Sequence, residues 1–344
     1  MKRNRTIGIL FILGSFLGGW LWMEWRSFNK TPIDTGGEEF LFLFTIKPGE
    51  SMNRVAERLA GQGIIESAAT FSWAARYKGL ASRIQAGEYR FAPGMTASSL
   101  LDKLVRGEVT SYSLTLVEGW NFPQMLAAIA QSPELEHTLK GVDAAEVMNR
   151  IGRPGVHPEG RFFPDTYHFS RGMSDVDILQ RAYQSMEKIL QQEWQQRADG
   201  LPYKTADEAL VMASIIEKET GLAEERRDIA GVFVRRLEKG MLLQTDPTII
   251  YGLGESFDGN LRRKHLRDPG NIYNTYRHKG LPPTPIAMPG RESIHAALHP
   301  APGKALYFVA KGDGSHYFSA NLKEHNRAVR KYQLQRHGKG NTDK

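Results

Sequence analysis

Residues 205–220 read Thr205-Ala206-Asp207-Glu208-Ala209-Leu210-Val211-Met212-Ala213-Ser214-Ile215-Ile216-Glu217-Lys218-Glu219-Thr220. Thr205 followed three residues later by Glu208 is the pattern of a helix start closed by a capping box. From Ala209 to Ile216 the run is apolar on nearly every face, so the helix is expected to be buried all round rather than amphipathic. Glu217 terminates that run. A carboxyl at the end of a buried helix loses solvation and meets the negative end of the helix dipole, and both effects favour its protonated form. A carboxyl that keeps a proton near neutral pH is what a general acid requires. One turn back, Ala213 and Ser214 are small and leave room beside it. Glu219 lies roughly 200° further around the helix and faces elsewhere. The plainer reading pairs Glu217 with Lys218, Arg226 or Arg227, since ion-pair networks are common around such carboxyls.

Downstream, a second helix is expected over Glu224 to Lys239, with Ile229, Val232, Phe233 and Leu237 as its core face and Gly240 as its stop. Then come Leu243-Gln244-Thr245-Asp246-Pro247-Thr248, Tyr251-Gly252, Tyr273-Asn274-Thr275-Tyr276 and Gly280-Leu281-Pro282-Pro283-Thr284-Pro285-Ile286. Aromatic faces, amides and rigid prolines are the usual means of holding a sugar, by stacking and directed hydrogen bonds. Gln244, Asp246, Tyr251, Asn274 and Tyr276 are therefore candidate substrate contacts. Asp246 is the one other carboxylate to watch, although Asp before Pro is also a turn former. Residues 205–336 form the expected catalytic domain, and 337–344 a disordered tail.

Upstream, 118–204 reads as a middle region. It holds Glu118-Gly119-Trp120-Asn121 capping a helix, the stretch Pro158-Glu159-Gly160-Arg161-Phe162-Phe163-Pro164-Asp165-Thr166-Tyr167, and a long helix from about Val176 to Trp194. Residues 40–117 alternate between strands (40–46, 88–91, 109–117) and helices (52–59, 68–77, 97–105), with Ser51 as an N-cap after Lys47-Pro48-Gly49-Glu50. This β-α-α-β unit resembles a LysM module, which binds glycans containing N-acetylglucosamine; the alternative is a generic packing domain.

At the N-terminus, Lys2, Arg3 and Arg5 precede an uncharged, mostly apolar stretch from Ile7 to Met23, closed by Glu24 and Arg26. Its length sits at the short end for a membrane-spanning helix, and Trp22 and Trp25 fall where an interfacial belt would be. No small-residue cleavage site follows, so residues 1–26 are expected to stay as an anchor with a cytoplasmic tip and the remainder outside. Residues 27–39 are polar and turn-rich and read as a linker. The expected fold class is α+β: a transmembrane helix, a small LysM-like α/β subdomain and a mixed α+β catalytic domain.

Composition narrows the chemistry. With no cysteine, thiolate nucleophiles, disulfides and Cys-ligated metals are excluded. The net charge of +7 suits a polyanionic neighbour, yet no nucleic-acid-binding signature accompanies it. Gly254-Glu255-Ser256-Phe257-Asp258-Gly259 has the wrong spacing for a nucleophile elbow, and no histidines have the H-E-x-x-H spacing, so neither metal nor cofactor is expected.

The ordered set ASIIEKET (213–220), LQTDPT (243–248), YNTY (273–276) and GLPPTPI (280–286), with EGW (118–120) and PEGRFFPDTY (158–167) upstream, resembles the YceG-like family of endolytic murein transglycosylases. The resemblance spans essentially the whole chain. One departure is Pro158-Glu159-Gly160-Arg161, where the family more often has Leu-Glu-Gly-Tyr. The family's catalytic glutamate is the first of E-K-E-T, which is Glu217 here. The resemblance implies a lyase of the inner membrane, single-pass, with a periplasmic catalytic domain. It would cut the β-1,4 bond between N-acetylmuramic acid and N-acetylglucosamine within peptidoglycan strands, leaving 1,6-anhydro ends and limiting strand growth. Penicillin-binding synthases are the implied protein partners. One indispensable carboxylate suffices when the sugar's own 6-hydroxyl attacks, whereas most glycosidases need two. Two alternatives stand: a muramidase using water and a second carboxylate such as Asp246, and a non-catalytic glycan-binding scaffold.

Overall fold

The computed structural model describes residues 2–33, 42–92 and 94–334, and the chain divides into two compact units. The tail at 337–344 and residues 34–39 of the expected linker lie outside the described residues.

The first unit comprises residues 1–112 and 168–173. Its elements are α1 (Lys2–Lys30), β1 (Phe42–Ile46), α2 (Met52–Gly61), α3 (Ala68–Tyr77), β2 (Gly87–Phe91) and α4 (Ala97–Arg106). β1 and β2 pair antiparallel, with Phe44 opposite Tyr89. Both side chains are fully buried, together with Val55, Ala56 and Leu59 of α2, Phe71 of α3 and Leu100, Leu101 and Leu104 of α4. Ser51, Ser67 and Thr96 each cap a helix by accepting the N–H three residues on, which satisfies a donor the helix cannot. Glu88, also buried, accepts from Tyr112 Oη and from Arg171 Nε at 2.8 Å, which ties segment 168–173 into this unit.

Residues 27–30, read as the start of a linker, are instead the last turn of α1. The reason is burial. Phe28 is 4% exposed against Phe71, and Trp25 packs on Phe28, Trp73 and Tyr77 at ring separations of 5.9, 6.1 and 6.2 Å. Glu24 accepts from Thr70 Oγ1 at 2.7 Å, and Ile33 N–H donates to Met95 O. Trp22 remains exposed, whereas Trp25 belongs to the packed cluster. Among the described residues no helix is long and apolar enough to cross a membrane.

The division between the units falls inside β3 (Ser111–Thr115) and β4 (Thr166–Ser170). The second unit holds α5 (Phe122–Ala130), α6 (Ala144–Arg150), α7 (Asp175–Gln195), α8 (Ala206–Glu219), α9 (Arg226–Glu238) and α10 (Asp246–Leu253). It continues through α11 (Arg263–Arg267), α12 (Arg291–Leu298), the hairpin of β5 (Tyr307–Ala310) and β6 (His316–Ser319), and α13 (Leu322–Val329). Every residue of α8 from Ala209 to Ile216 is buried, as a helix apolar on all faces must be. α7, α9, α10 and α12 surround it. Met186, Ile189 and Leu190 of α7 share its core, so the expected middle region and catalytic segment form one body.

If the end of α1 is part of the first unit's core, Phe28→Ala should destabilise that unit by about 3–5 kcal/mol, the usual cost of emptying a buried phenylalanine site. Denaturant titration of the full-length protein reads this directly. A change within about 0.5 kcal/mol, the range of surface substitutions, would return residues 27–30 to a linker role.

Candidate active site

Thr205 caps α8 by accepting from Glu208 N–H at 3.3 Å, but Glu208 reaches back to Lys204 N–H rather than to its own cap. α8 does not stop at Glu217. It runs to Glu219 and ends at Thr220, whose backbone turns extended ahead of Gly221. Glu217 therefore sits in the last turn, its side chain 7% exposed.

Three segments converge on it. Gly290 N–H, at the N-cap of α12, donates to Glu217 Oε2 at 3.0 Å. The Arg226 guanidinium lies 3.9 Å from Oε1, too far for a hydrogen bond, and is itself largely buried. Lys218 turns away to donate to Gly119 O at 3.1 Å. Arg227 is spent on His299 O at 2.7 Å. Of the three ion-pair partners the sequence offered, only Arg226 faces Glu217. The third segment is Glu118-Gly119-Trp120, clamped to Met288 by Gly119 N–H to Met288 O (2.9 Å) and Met288 N–H to Trp120 O (2.8 Å). The Glu118 carboxyl lies over the Gly290 Cα, where any Cβ would collide with it. Burial and the charge of Glu217 push the Glu118 carboxyl above its usual range, against a smaller pull from Arg226.

Ser214 does not make room for a carboxyl. Its hydroxyl donates to Val211 O at 2.7 Å and accepts from Ile286 N–H at 3.0 Å, so it pins the end of the Gly280–Ile286 loop to α8. Gly160 lies against that loop, where a Cβ would strike Pro285. Next to it, Glu159 is 1% exposed and accepts from Phe122 N–H at 3.1 Å and from Tyr251 Oη at 3.1 Å. Burial pushes its carboxyl up to about 7, with those hydrogen bonds pulling the other way.

The Leu243–Thr248 loop is joined to Tyr273–Tyr276 by buried threonines. Thr245 N–H donates to Thr275 Oγ1 at 3.0 Å, and the Thr248 and Thr275 hydroxyls are 2.9 Å apart. Thr245 Oγ1 in turn donates to Glu219, whose carboxyl burial pushes up to about 7. Glu219 is thus the tether of this loop to α8. Arg236 donates to Leu243 O at 2.7 Å and to Leu306 O at 2.6 Å, holding the loop from its other side.

The YceG-like family model matches residues 44–331. The chain belongs to this family. It is 33% identical over 342 residues to the endolytic murein transglycosylase of Bacillus subtilis (strain 168), covering 94% of this chain and 91% of that one. To the endolytic murein transglycosylase of Streptococcus pneumoniae serotype 2 (strain D39 / NCTC 7466) it is 25% identical over 354 residues, covering 93% of this chain and 63% of that one. The crystal structure of a YceG-like protein from Listeria monocytogenes superposes with a TM-score of 0.52 at 30% identity, over 85% of this chain and all of that one.

The candidate contacts in the family's motifs are disposed unequally. Gln244 is exposed and has φ of 53°, unique among the described non-glycine residues, a conformation that costs energy and often marks functional loops. Asp246, exposed, accepts from Tyr276 Oη at 2.7 Å. Tyr251 packs edge-on to Tyr273 with centroids 4.8 Å apart. Asn274 differs from expectation: it is fully buried, its amide donating to His265 O and Asp268 O and accepting from Tyr276 N–H, so it shapes the loop from inside. Among the described residues no hydrogen bond or ion pair links Asp246 to Glu217; the carboxyl beside Glu217 is Glu118, expected from the sequence only within a helix cap and the EGW motif. Its one sequence signal is the Glu-Gly-Trp triplet, and it lies about a hundred residues from Glu217 along the chain.

Two other features lie apart from this cluster. A cavity of about 530 Å³ opens at the other end of α8, lined by Arg161, Asp207, Val211 and the prolines of the 280–286 loop. Glu193, His295 and His299 bring three potential metal donors within 4.8 Å of one another. Their donors are already engaged: Arg291 and His295 hold Glu193, and the His299 nitrogens face His295 O and Gln196 O at 3.2 and 2.8 Å. This cluster is an ion-pair and hydrogen-bond network between α7 and α12.

The raised carboxyls give a testable pH signature. A carboxyl raised by burial contributes stability that is full below the unfolded value near 4.5 and is lost as pH rises through about 7. Glu159→Gln, neutral at every pH, should therefore gain in thermal midpoint relative to wild type between pH 4.5 and 7.5. A difference that stays constant across that range would rule out the buried, proton-holding state of Glu159.

Proposed function

We propose that this member of the YceG-like family is an endolytic peptidoglycan lytic transglycosylase with Glu217 as its single proton-transfer residue. The observation that carries the reading is the burial of Glu217 in the last turn of α8, against a helix amino terminus and Arg226. The family membership and the names of its relatives support the same substrate class.

In this reading Glu217 donates a proton to the glycosidic oxygen as the bond from the anomeric carbon of N-acetylmuramic acid breaks. The 6-hydroxyl of the same sugar attacks that carbon, and its proton passes to Glu217, which restores the starting state. The attack is intramolecular, so no water need be bound and activated, and the gain in effective molarity is large. Gln244, Asp246, Tyr251 and Tyr276 line the sugar, with Tyr251 held from below by Glu159. The first unit, with its β1-α2-α3-β2 order, serves as a LysM-like module that binds the strand weakly. α1 anchors the chain in the inner membrane with its basic end in the cytoplasm, and both units work in the periplasm beside the synthases that extend nascent strands.

The experiment is a set of three proteins assayed at matched thermal stability for anhydromuramoyl ends released from nascent glycan. Glu217→Gln keeps size and one acceptor oxygen but removes the transferable proton, and should lose at least about 10²–10⁴-fold. Glu219→Gln retains an acceptor for Thr245, and Asp246→Asn one for Tyr276, so both should keep substantial activity. Near wild-type cleavage by Glu217→Gln would sink the site assignment. Reducing rather than anhydro ends in the wild-type products would establish a muramidase.

A further inference from the structure

We propose that Glu118 is the second carboxyl of the cleavage site, set beside Glu217 across Gly290. The inference rests on the reading of Glu217 as the proton-transfer residue. Its basis is geometric. Gly290 N–H is hydrogen-bonded to Glu217 Oε2 at 3.0 Å, and the Glu118 carboxyl lies against the Gly290 Cα, where a Cβ would displace it. The two carboxyls thus straddle one residue.

The position of Glu118 is set by its backbone. Gly119 has φ of 76°, and a Cβ there would come within 3.9 Å of Glu217 Cγ. Lys218 holds Gly119 O at 3.1 Å, and Met288 clamps Gly119 and Trp120 on the other edge. These bonds hold the backbone that carries Glu118 beside α8 and Met288.

The charges around the pair are Glu217 and Lys218 on α8, Arg226 on α9 and Glu292 on α12. Lys218 is turned to a carbonyl, which leaves Arg226 as the cation within 3.9 Å of Glu217. Lys218 keeps its charge on that carbonyl, so two cations face the three carboxyls Glu118, Glu217 and Glu292. Burial, and the repulsion between two like charges at close range, keep the proton on Glu118 to higher pH than on an isolated carboxyl.

The chemistry uses that reserve. As the bond to the glycosidic oxygen breaks, a proton leaves the pair through Glu217; as the bond to O6 forms, the O6 proton returns, and the pair ends with the count it began with. Glu118 acts through Glu217 and does not touch the sugar. It is a positioning residue that keeps a proton at the site to higher pH.

The test is the pH dependence of kcat/KM for full-length wild type, E118Q, E118D and E217Q on nascent glycan, read as anhydro ends. Removing the Glu118 charge removes the repulsion that holds the proton, so the alkaline limb of E118Q should move at least one pH unit lower. Its loss relative to wild type should then be about tenfold greater at pH 7.5 than at pH 5, a pH unit being a factor of ten. E118D, which keeps the charge, should restore the limb. Gly290→Ala, whose Cβ displaces the Glu118 carboxyl, should move it in the same direction as E118Q. A loss by the same factor at every pH, or no loss, overturns the proposal, as does a wild-type limb in Gly290→Ala. E217Q separates the two readings: activity in E217Q removes the parent assignment, whereas an inactive E217Q with an unmoved limb in E118Q removes only the role of Glu118.

Discussion

Eight consecutive buried residues, Ala209 to Ile216, constrain the second unit more than any other feature. A helix with no polar face cannot lie on a surface, so other elements must enclose it, and α7, α9, α10 and α12 do so. Removing these side chains from water supplies the driving force, at about 1.5–3 kcal/mol for each large aliphatic. The backbone within α8 satisfies itself, and the single buried hydroxyl, Ser214, is spent on Val211 and on the loop that ends at Ile286. Polar chemistry is consequently confined to the ends of the helix, and Glu217, Lys218 and Glu219 emerge together at one of them.

What those three residues do is decided by their directions. Glu217 faces the amino end of α12, Lys218 the Gly119 carbonyl, and Glu219 the interior, where it anchors Thr245. Successive helical positions point about 100° apart, so one short acidic-basic-acidic run serves three neighbours. The adjoining buried carboxyls follow the same economy. Glu159 supports Tyr251 and the first turn of α5, and Glu219 supports the Leu243–Thr248 loop. Each is a polar group placed under a loop that has little hydrophobic surface of its own, and a buried carboxyl with directed partners fixes a loop in a way that apolar packing does not.

The first unit is organised differently, around a small sheet covered by three short capped helices and by the end of α1. Because Trp25 and Phe28 belong to its core, α1 enters the unit as a continuous helix.

The sequence by itself determined the local structure wherever a strong, short-range signal exists. Caps at Ser51, Thr205 and Asn121, the limits of α3, and the burial of α8 all follow from residue types a few positions apart. It also singled out Glu217, because an apolar run that ends on a carboxyl is visible without a fold. Tertiary structure alone decided what surrounds that carboxyl. Glu118 and Gly290 lie far from Glu217 along the chain and meet it only because Met288 pairs with Gly119 and Trp120. The same holds for Asn274, whose polar side chain looks suited to a ligand but is consumed by the carbonyls of its own loop. Phe28 shows the reverse case, a residue in a polar stretch that is drawn into a core by partners dozens of residues away. Spacing along a helix or strand records which residues share a face. Which distant backbone supplies the partner depends on how the enclosed helix is packed, and that is a property of the whole fold.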